Sequence, residues 1–144
     1  MTVYLAIDIG TSSVKAALYD QTGKLVDIRS QVVPLHKPQT NLAEQNPYDW
    51  WKAVQNVCAL LMAENHQHSI RAVCVSGQTP SCIPIDKKGN PLIPAILWLD
   101  RRATHQVEWF RQNIGESISE KIGGNTLDSF FGGPKWLWFI QEKP

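Results

Sequence analysis

The sequence predicts an α/β domain whose mixed sheet opens in the order β-β-β-α-β and is flanked by helices. Three observations carry that expectation. An apolar run, Val3-Tyr4-Leu5-Ala6-Ile7, breaks at Asp8-Ile9-Gly10-Thr11-Ser12-Ser13 and resumes at Val14-Lys15-Ala16-Ala17-Leu18, as two buried strands joined by a tight turn would. Asn46-Pro47-Tyr48-Asp49 combines a helix-capping side chain, a proline at the first helical position and an acid in the first turn. Farther on, Ile70-Arg71-Ala72-Val73-Cys74-Val75 is a β-branched run that ends in the polar tip Ser76-Gly77-Gln78.

Each element follows in order. Residues 14–20 read as the second strand, Gln21-Thr22-Gly23-Lys24 as a hairpin turn and residues 25–33 as the third strand, which makes an antiparallel meander. Pro34 and Pro38 close that strand, and the polar stretch 37–45 leads to the helix. Trp50, Val54, Val57 and Leu61, with Trp51, Cys58 and Met62 beside them, give the helix an apolar face through about Glu64 that should pack on the sheet. The β-branched run is the fourth strand, expected parallel to the first. A fifth strand is expected at residues 82–86, turning at Lys87-Lys88-Gly89-Asn90-Pro91 into Leu92-Ile93-Pro94-Ala95-Ile96-Leu97-Trp98 and the charged cluster Asp100-Arg101-Arg102. Helices are expected at residues 104–112, at 117–122 with Gly123-Gly124 as the stop, and at 134–141. Residues 123–133 read as the linker-like stretch. Trp136, Leu137, Trp138, Phe139 and Ile140 are too aromatic and apolar for an exposed end, so something should cover them.

Length and charge narrow the function. With 144 residues and 43% hydrophobic content the chain can bury one core, and 14 basic against 13 acidic residues leave a net charge of +1. Such a balance gives no broad field to recruit nucleic acid or an anionic membrane, so any anion site must be local. No stretch approaches the roughly 20 apolar residues of a membrane span, and a cytoplasmic location is expected. Cys58, Cys74 and Cys82 lack the paired spacing of a zinc or redox motif and read as reduced structural thiols. His66 and His68 fall where a helix ends, and read as a solvated loop.

The turn at residues 8–13 concentrates one carboxylate and three hydroxyls. Gly10 permits a sharp turn or a close approach to phosphate, Thr11, Ser12 and Ser13 can donate to phosphate oxygens, and Asp8 can face a hydrated Mg2+ that converts its repulsion from phosphate into attraction. The pattern has neither the Lys after a second Gly of a Walker loop nor the three glycines of a dinucleotide turn. An ordinary hairpin whose polar residues satisfy turn geometry is the alternative.

The β-β-β-α-β order with a phosphate-type first turn resembles the opening of an actin-like, ribonuclease-H-like ATPase lobe. Asp8-Ile9-Gly10-Thr11-Ser12-Ser13-Val14-Lys15 looks like the first signature of the FGGY carbohydrate kinases. Ala43-Glu44-Gln45-Asn46-Pro47 with Trp50-Trp51 resembles their entry to the first helix, and Ser76-Gly77-Gln78 their substrate-loop strand end. Ile96-Leu97-Trp98-Leu99-Asp100-Arg101-Arg102-Ala103 is similar to their next signature. The four blocks keep the family's order across residues 3–103, with a weaker echo at residues 135–144.

The resemblance implies transfer of the γ-phosphoryl group of ATP, with Mg2+, to a hydroxyl of a small-molecule sugar or polyol, a pentulose such as xylulose foremost. It gives Asp8 to the metal and Gly10, Thr11, Ser12, Ser13 and Lys15 to the nucleotide phosphates; Lys15 equally suits the solvent face of an alternating strand. Gln78, Thr79, Pro80, Trp98, Asp100 and Arg101 fall on the sugar side. Thr79-Pro80 departs from the Arg-Glu of glycerol-kinase-like members and from the Met-His of xylulokinase-like ones, and could be only a strand-ending turn. Asp100 could instead form a structural ion pair with Arg101 or Arg102. The resemblance also implies an incomplete first lobe, with a core at residues 1–103 and a helical extension at 104–144. The catalytic Asp and the second lobe would then lie outside the 144 residues. The exposed C-terminal aromatic segment would favour a homo-oligomer. A non-catalytic binding or regulatory module derived from such a kinase is the alternative.

Overall fold

The computed structural model describes residues 1–115, 117–121 and 123–143. The elements run β1 (Thr2–Ile9), β2 (Ser13–Tyr19), β3 (Leu25–Val32), β4 (Glu44–Gln45), α1 (Pro47–Glu64), β5 (Ser69–Gly77), β6 (Ala95–Ile96), α2 (Thr104–Ile114), α3 (Ile118–Lys121) and α4 (Gly132–Glu142). They divide into two units, Met1–Leu35 with Asn46–Gln78, and His36–Gln45 with Thr79–Pro144.

The first unit is a four-stranded sheet in the order β3-β2-β1-β5. β1 pairs antiparallel with β2, β2 antiparallel with β3, and β1 parallel with β5, so the meander and the parallel fourth strand both form as expected. Alternation sets the faces: Val3, Leu5 and Ile7 of β1 and Val14, Ala16 and Leu18 of β2 are buried, whereas Tyr4, Asp8 and Lys15 are exposed. α1 lies against β2 and β3 and buries Trp50, Ala53, Val57 and Leu61. Trp51, expected on that face, is 61% exposed, because each residue turns the helix by about 100° and the buried stripe follows the spacing of Trp50 and Ala53.

Both ends of α1 are tied by side chains. Asn46 caps the start, its Oδ1 accepting from the Tyr48 N–H at 3.0 Å. At the other end Asn65 is buried, and its Nδ2 donates to Leu61 O at 2.8 Å and to Asp27 Oδ2 at 2.7 Å, which joins the helix end to β3. The Asn65 bond, with those from Ile28 and Arg29, holds the Asp27 carboxyl below its ordinary value of 3.8. A depressed carboxyl contributes stability that is present above the unfolded-state value and lost as pH falls through the folded one. The thermal midpoint is therefore expected to be flat at neutral pH and to fall below about pH 4. Asp27→Asn should make that acid limb shallower in a melting series across pH.

In the second unit β4 pairs antiparallel with β6, Glu44 opposite Ile96 and Gln45 opposite Ala95. The strand expected at residues 82–86 is not formed; only the isolated bridges Cys82↔Ile96 and Ile85↔Pro91 occur there. Pro84 has no N–H to give a ladder and stops the pairing that the apolar pattern suggested. The turn that follows does form, with Asp86 Oδ1 accepting from the Lys88 and Asn90 N–H groups, both at 2.8 Å.

The helices form where the periodicity placed them, α2 running two residues past 112 and α4 starting two residues before Pro134. The short helix expected at 117–122 is α3, and Ile122 lies outside the described residues. Gly123 and Gly124 adopt φ of +76° and +78°, a left-handed stop that other residues rarely accept. The stretch expected as a linker is instead packed in its second half: Leu127 and Ser129 are buried, and Asp128 closes a turn by accepting from the Phe130 N–H at 2.6 Å. α4 lies beside α2, with Gln106 Nε2 donating to Gln141 Oε1 at 2.9 Å. The C-terminal apolar segment is only partly uncovered. Phe139 joins Cys82 and Ile96 in a core cluster with Ile93 and Trp138 against it, while Trp136 and Ile140 are 48% and 70% exposed. Among the described residues no helix is long and apolar enough to cross a membrane.

Candidate functional site

The turn between β1 and β2 is tight. The Gly10 N–H donates to Ser13 O at 3.0 Å, and the Val33 N–H donates to Ser12 O at 3.1 Å. A side chain at position 10 would put Cβ 3.0 Å from that same Ser13 oxygen, a crowded contact that the turn would have to yield by a few tenths of an ångström to accept. Gly10→Ala is expected to open the turn and cost about 1–3 kcal/mol, measured by urea unfolding. Thr11 Oγ1 donates to Gln78 Oε1 at 2.9 Å, which brings the turn to the residue just beyond β5.

The pairing register lines up Asp8 of β1 with Lys15 of β2 on one side and with Ser76 of β5 on the other. These three side chains share a cavity of about 210 Å3 on the exposed face of the sheet, whose floor includes Ala6, Ala17 and Cys74. The Asp8 carboxylate has no hydrogen-bond or ion-pair partner among the described residues. No group of three or more His, Cys, Asp or Glu side chains capable of holding a metal occurs among them. A lone, accessible carboxylate beside hydroxyls suits a divalent cation that keeps most of its water, and Mg2+ is such a cation.

The second unit carries a separate cluster. The Trp98 and Phe130 rings meet edge to face at 6.1 Å, and the Arg101 guanidinium sits 5.7 Å from the Phe130 ring centre while pairing with Asp128. Asp100 points the other way and is fully buried. Its Oδ1 accepts from Arg102 N and Nε, both at 2.9 Å; its Oδ2 accepts from the Ala43 N–H at 2.7 Å and Arg102 Nη2 at 2.8 Å. Arg102 also pairs with Glu44 and lies 4.9 Å over the Trp138 ring. Burial opposes its charge, but the two carboxylates outweigh that and hold the guanidinium above its ordinary value. Asp100 thus braces the segment from behind while Arg101, beside it in sequence, turns outward. Thr79 is exposed and Pro80 half-buried, joined by a cis peptide.

Three residues of this cluster are not marked as site residues in the sequence: Asp128, Phe130 and Lys135, the last of them at the start of the weaker family echo at residues 135–144. Lys135 is fully buried, with its Nζ donating to Leu97 O at 2.7 Å, Phe130 O at 2.9 Å and Pro80 O at 3.4 Å. The available signal was a single cation inside the run Phe130-Phe131-Gly132-Gly133-Pro134-Lys135-Trp136-Leu137-Trp138-Phe139-Ile140. A charge in so apolar a stretch must be either turned to water or held by the fold.

Known proteins resemble this chain in sequence and fold. Residues 3–144 match the FGGY family of carbohydrate kinases, N-terminal domain. The chain is 32% identical over 141 residues to a xylulose kinase of Klebsiella pneumoniae, covering 98% of this chain and 29% of that protein. It is 30% identical over 142 residues to a glycerol kinase of Thermococcus gammatolerans, covering 97% of this chain and 29% of that protein. The crystal structure of a xylulose kinase from Rhodospirillum rubrum superposes with a TM-score of 0.92 at 26% identity, covering 99% of this chain and 30% of that one. The chain therefore spans less than a third of the length of the relatives it matches. With the mixed sheet and signature blocks in the family's order, the chain belongs to the FGGY carbohydrate kinases, has their actin-like α/β fold and corresponds to their N-terminal domain.

Proposed function

We propose that these residues are part of the first lobe of an ATP-dependent carbohydrate kinase that phosphorylates a sugar or polyol, a pentulose such as xylulose foremost. The observation that carries this reading is the accessible, unpaired Asp8 carboxylate beside the tight hydroxyl-rich turn, in a chain of this family. Mg2+ bound with ATP supplies positive charge to the oxygens of the transferring phosphoryl group. Asp8 would hold that ion. Gly10 lets the main chain close around the phosphates, Thr11, Ser12 and Ser13 donate hydrogen bonds, and Lys15 adds a positive charge next to Asp8 in the sheet register.

On the sugar side, Trp98 offers an apolar face to the carbons of the substrate and Arg101 a fork of donors to its hydroxyls. Gln78 and Thr79 add uncharged hydrogen-bonding groups, and Pro80 limits the space. Asp100 acts on the substrate through the segment it braces. The absence of charge at Thr79 and Pro80 argues against the charged recognition of glycerol, and the lack of Met-His there departs from plain xylulokinases as well. The base that takes the hydroxyl proton lies outside these residues, so the 144-residue chain is inactive alone. The partners are small molecules, with no nucleic acid or membrane involved, and Trp136 and Ile140 offer a contact for a second subunit in the cytoplasm.

The test is turnover by the full-length polypeptide that carries this chain, with ATP and Mg2+ over a panel of ketoses and polyols. Phosphorylation of a ketopentose or pentitol is expected, and none by residues 1–144 alone. Binding without turnover of any member would overturn the kinase reading in favour of a non-catalytic module.

A further inference from the structure

We infer that Lys135 is the positioning residue of the sugar-facing wall, clamping by their main chains the three segments that present Thr79 and Pro80, Trp98, and Phe130. The inference rests on the kinase reading for what the wall contacts, and on geometry alone for the clamp.

A lysine ammonium has three N–H donors and no acceptor. Here each donor meets a carbonyl: Leu97, immediately before Trp98; Phe130, whose ring meets Trp98 and carries Arg101; and Pro80, immediately after Thr79. Leu97 and Pro80 lie 38 and 55 residues from Lys135 along the chain and Phe130 only 5, so the ammonium ties two distant segments to the turn just before its own helix. Phe130 is held twice, since its ring centre is also 5.9 Å from the Lys135 Nζ.

Burying an ammonium costs several kcal/mol, which neutral carbonyls repay only in part. Asp100 supplies a nearby negative charge but no hydrogen bond to the ammonium, since both its oxygens accept from Arg102 and Ala43, and Arg101 and Arg102 oppose it. A leucine or methionine would fill the same space more cheaply. What an apolar residue cannot do is converge three chain segments on one point through their main-chain carbonyls. Direct chemistry is excluded for the same reason: the amine is sealed from solvent and all its donors are used, so it reaches neither phosphate nor sugar.

Two measurements on Lys135→Met and Lys135→Arg test this. In the full-length polypeptide, Lys135→Met is expected to raise the sugar KM about tenfold while the ATP KM stays within about twofold, and Lys135→Arg, which can still donate to carbonyls, to recover part of the loss. An equal rise in both KM values, or a fall in kcat with both unchanged, would overturn the clamp. In the 144-residue chain labelled with 5-fluorotryptophan, the 19F resonance of Trp98, assigned through Trp98→Phe, is expected to shift in Lys135→Met while those of Trp50 and Trp51 stay in place. An unmoved Trp98 resonance overturns the clamp whatever the kinetics. A moved resonance with no sugar turnover by the unmodified enzyme upholds the clamp and overturns the kinase reading. If Lys135→Met does not fold, Lys135→Arg carries both measurements, with a sugar KM raised about threefold, and no change in either readout overturns the proposal.

Discussion

Asp8→Ala in the full-length polypeptide is expected to lower kcat by about 100- to 1,000-fold with little change in stability. The two halves of that expectation have separate causes. Asp8 lies next to the end of β1 on the exposed face, and among the described residues no hydrogen bond or ion pair ties its carboxylate, so its removal breaks no contact described in the fold. Surface substitutions of this kind stay within about 0.5 kcal/mol. Catalysis of phosphoryl transfer, by contrast, resides almost wholly in placing positive charge and donors around the phosphoryl group. If Asp8 holds the ion as proposed, losing its carboxylate should depress the rate and raise the Mg2+ concentration needed for half-maximal activity. Steady-state kinetics over a Mg2+ titration, with a melting curve as control, measures both. Undiminished activity in Asp8→Ala would end the assignment of a metal role to this residue.

The other large effect is structural. Asp100→Ala is expected to destabilise the second unit by about 3–5 kcal/mol, a large fraction of the stability of a small domain. The substitution removes the acceptor for the Ala43 N–H and for three Arg102 donors, and it leaves a mostly buried guanidinium with Glu44 as its remaining carboxylate. Asp100→Asn keeps the shape and loses the charge, so it should fall between the parent and the alanine variant. Urea unfolding followed through the fluorescence of Trp98 and Trp138 reads the loss. A cost below about 1 kcal/mol would place Asp100 among ordinary surface ion pairs and remove its bracing role.

The residues whose behaviour was legible in the sequence are those governed by neighbours in the chain. Alternating apolar positions gave β1 and β2, the cap at Asn46 and Pro47 gave the start of α1, and crowding at Gly10 follows from a turn closed within four residues. Misreadings arose where the local pattern competed with something nonlocal or stereochemical. The apolar content of residues 82–86 suggested a strand, yet Pro84 removes a donor and the segment keeps only isolated bridges. Trp51 looked like core by hydrophobicity, but helix rotation turns it to solvent.

The candidate site divides in the same way. Asp8 through Ser13 was visible because its carboxylate, glycine and hydroxyls are consecutive. The roles of Asp100 and Arg101 were not separable in sequence, since adjacent residues at a chain bend point in opposite directions: one is buried against Arg102 and Ala43, the other pairs with Asp128 in solvent. Residues 123–133 resembled a linker for want of periodicity, although Leu127 and Ser129 are buried and Phe130 meets Trp98.

By itself the sequence determined the fold class, the strand–turn–strand with its phosphate-type turn, the capped helix and the ordered blocks of a carbohydrate kinase, because each is written in short-range periodicity or in a contiguous motif. Tertiary structure alone decided that Thr11 meets Gln78 across 67 residues, that Asp100 is committed to Arg102 and the Ala43 N–H, and that Lys135 gathers Pro80, Leu97 and Phe130. The physical reason is common to all three. A hydrogen bond depends on where two groups are brought in space, and a buried charge is tolerated only where the whole fold supplies its partners.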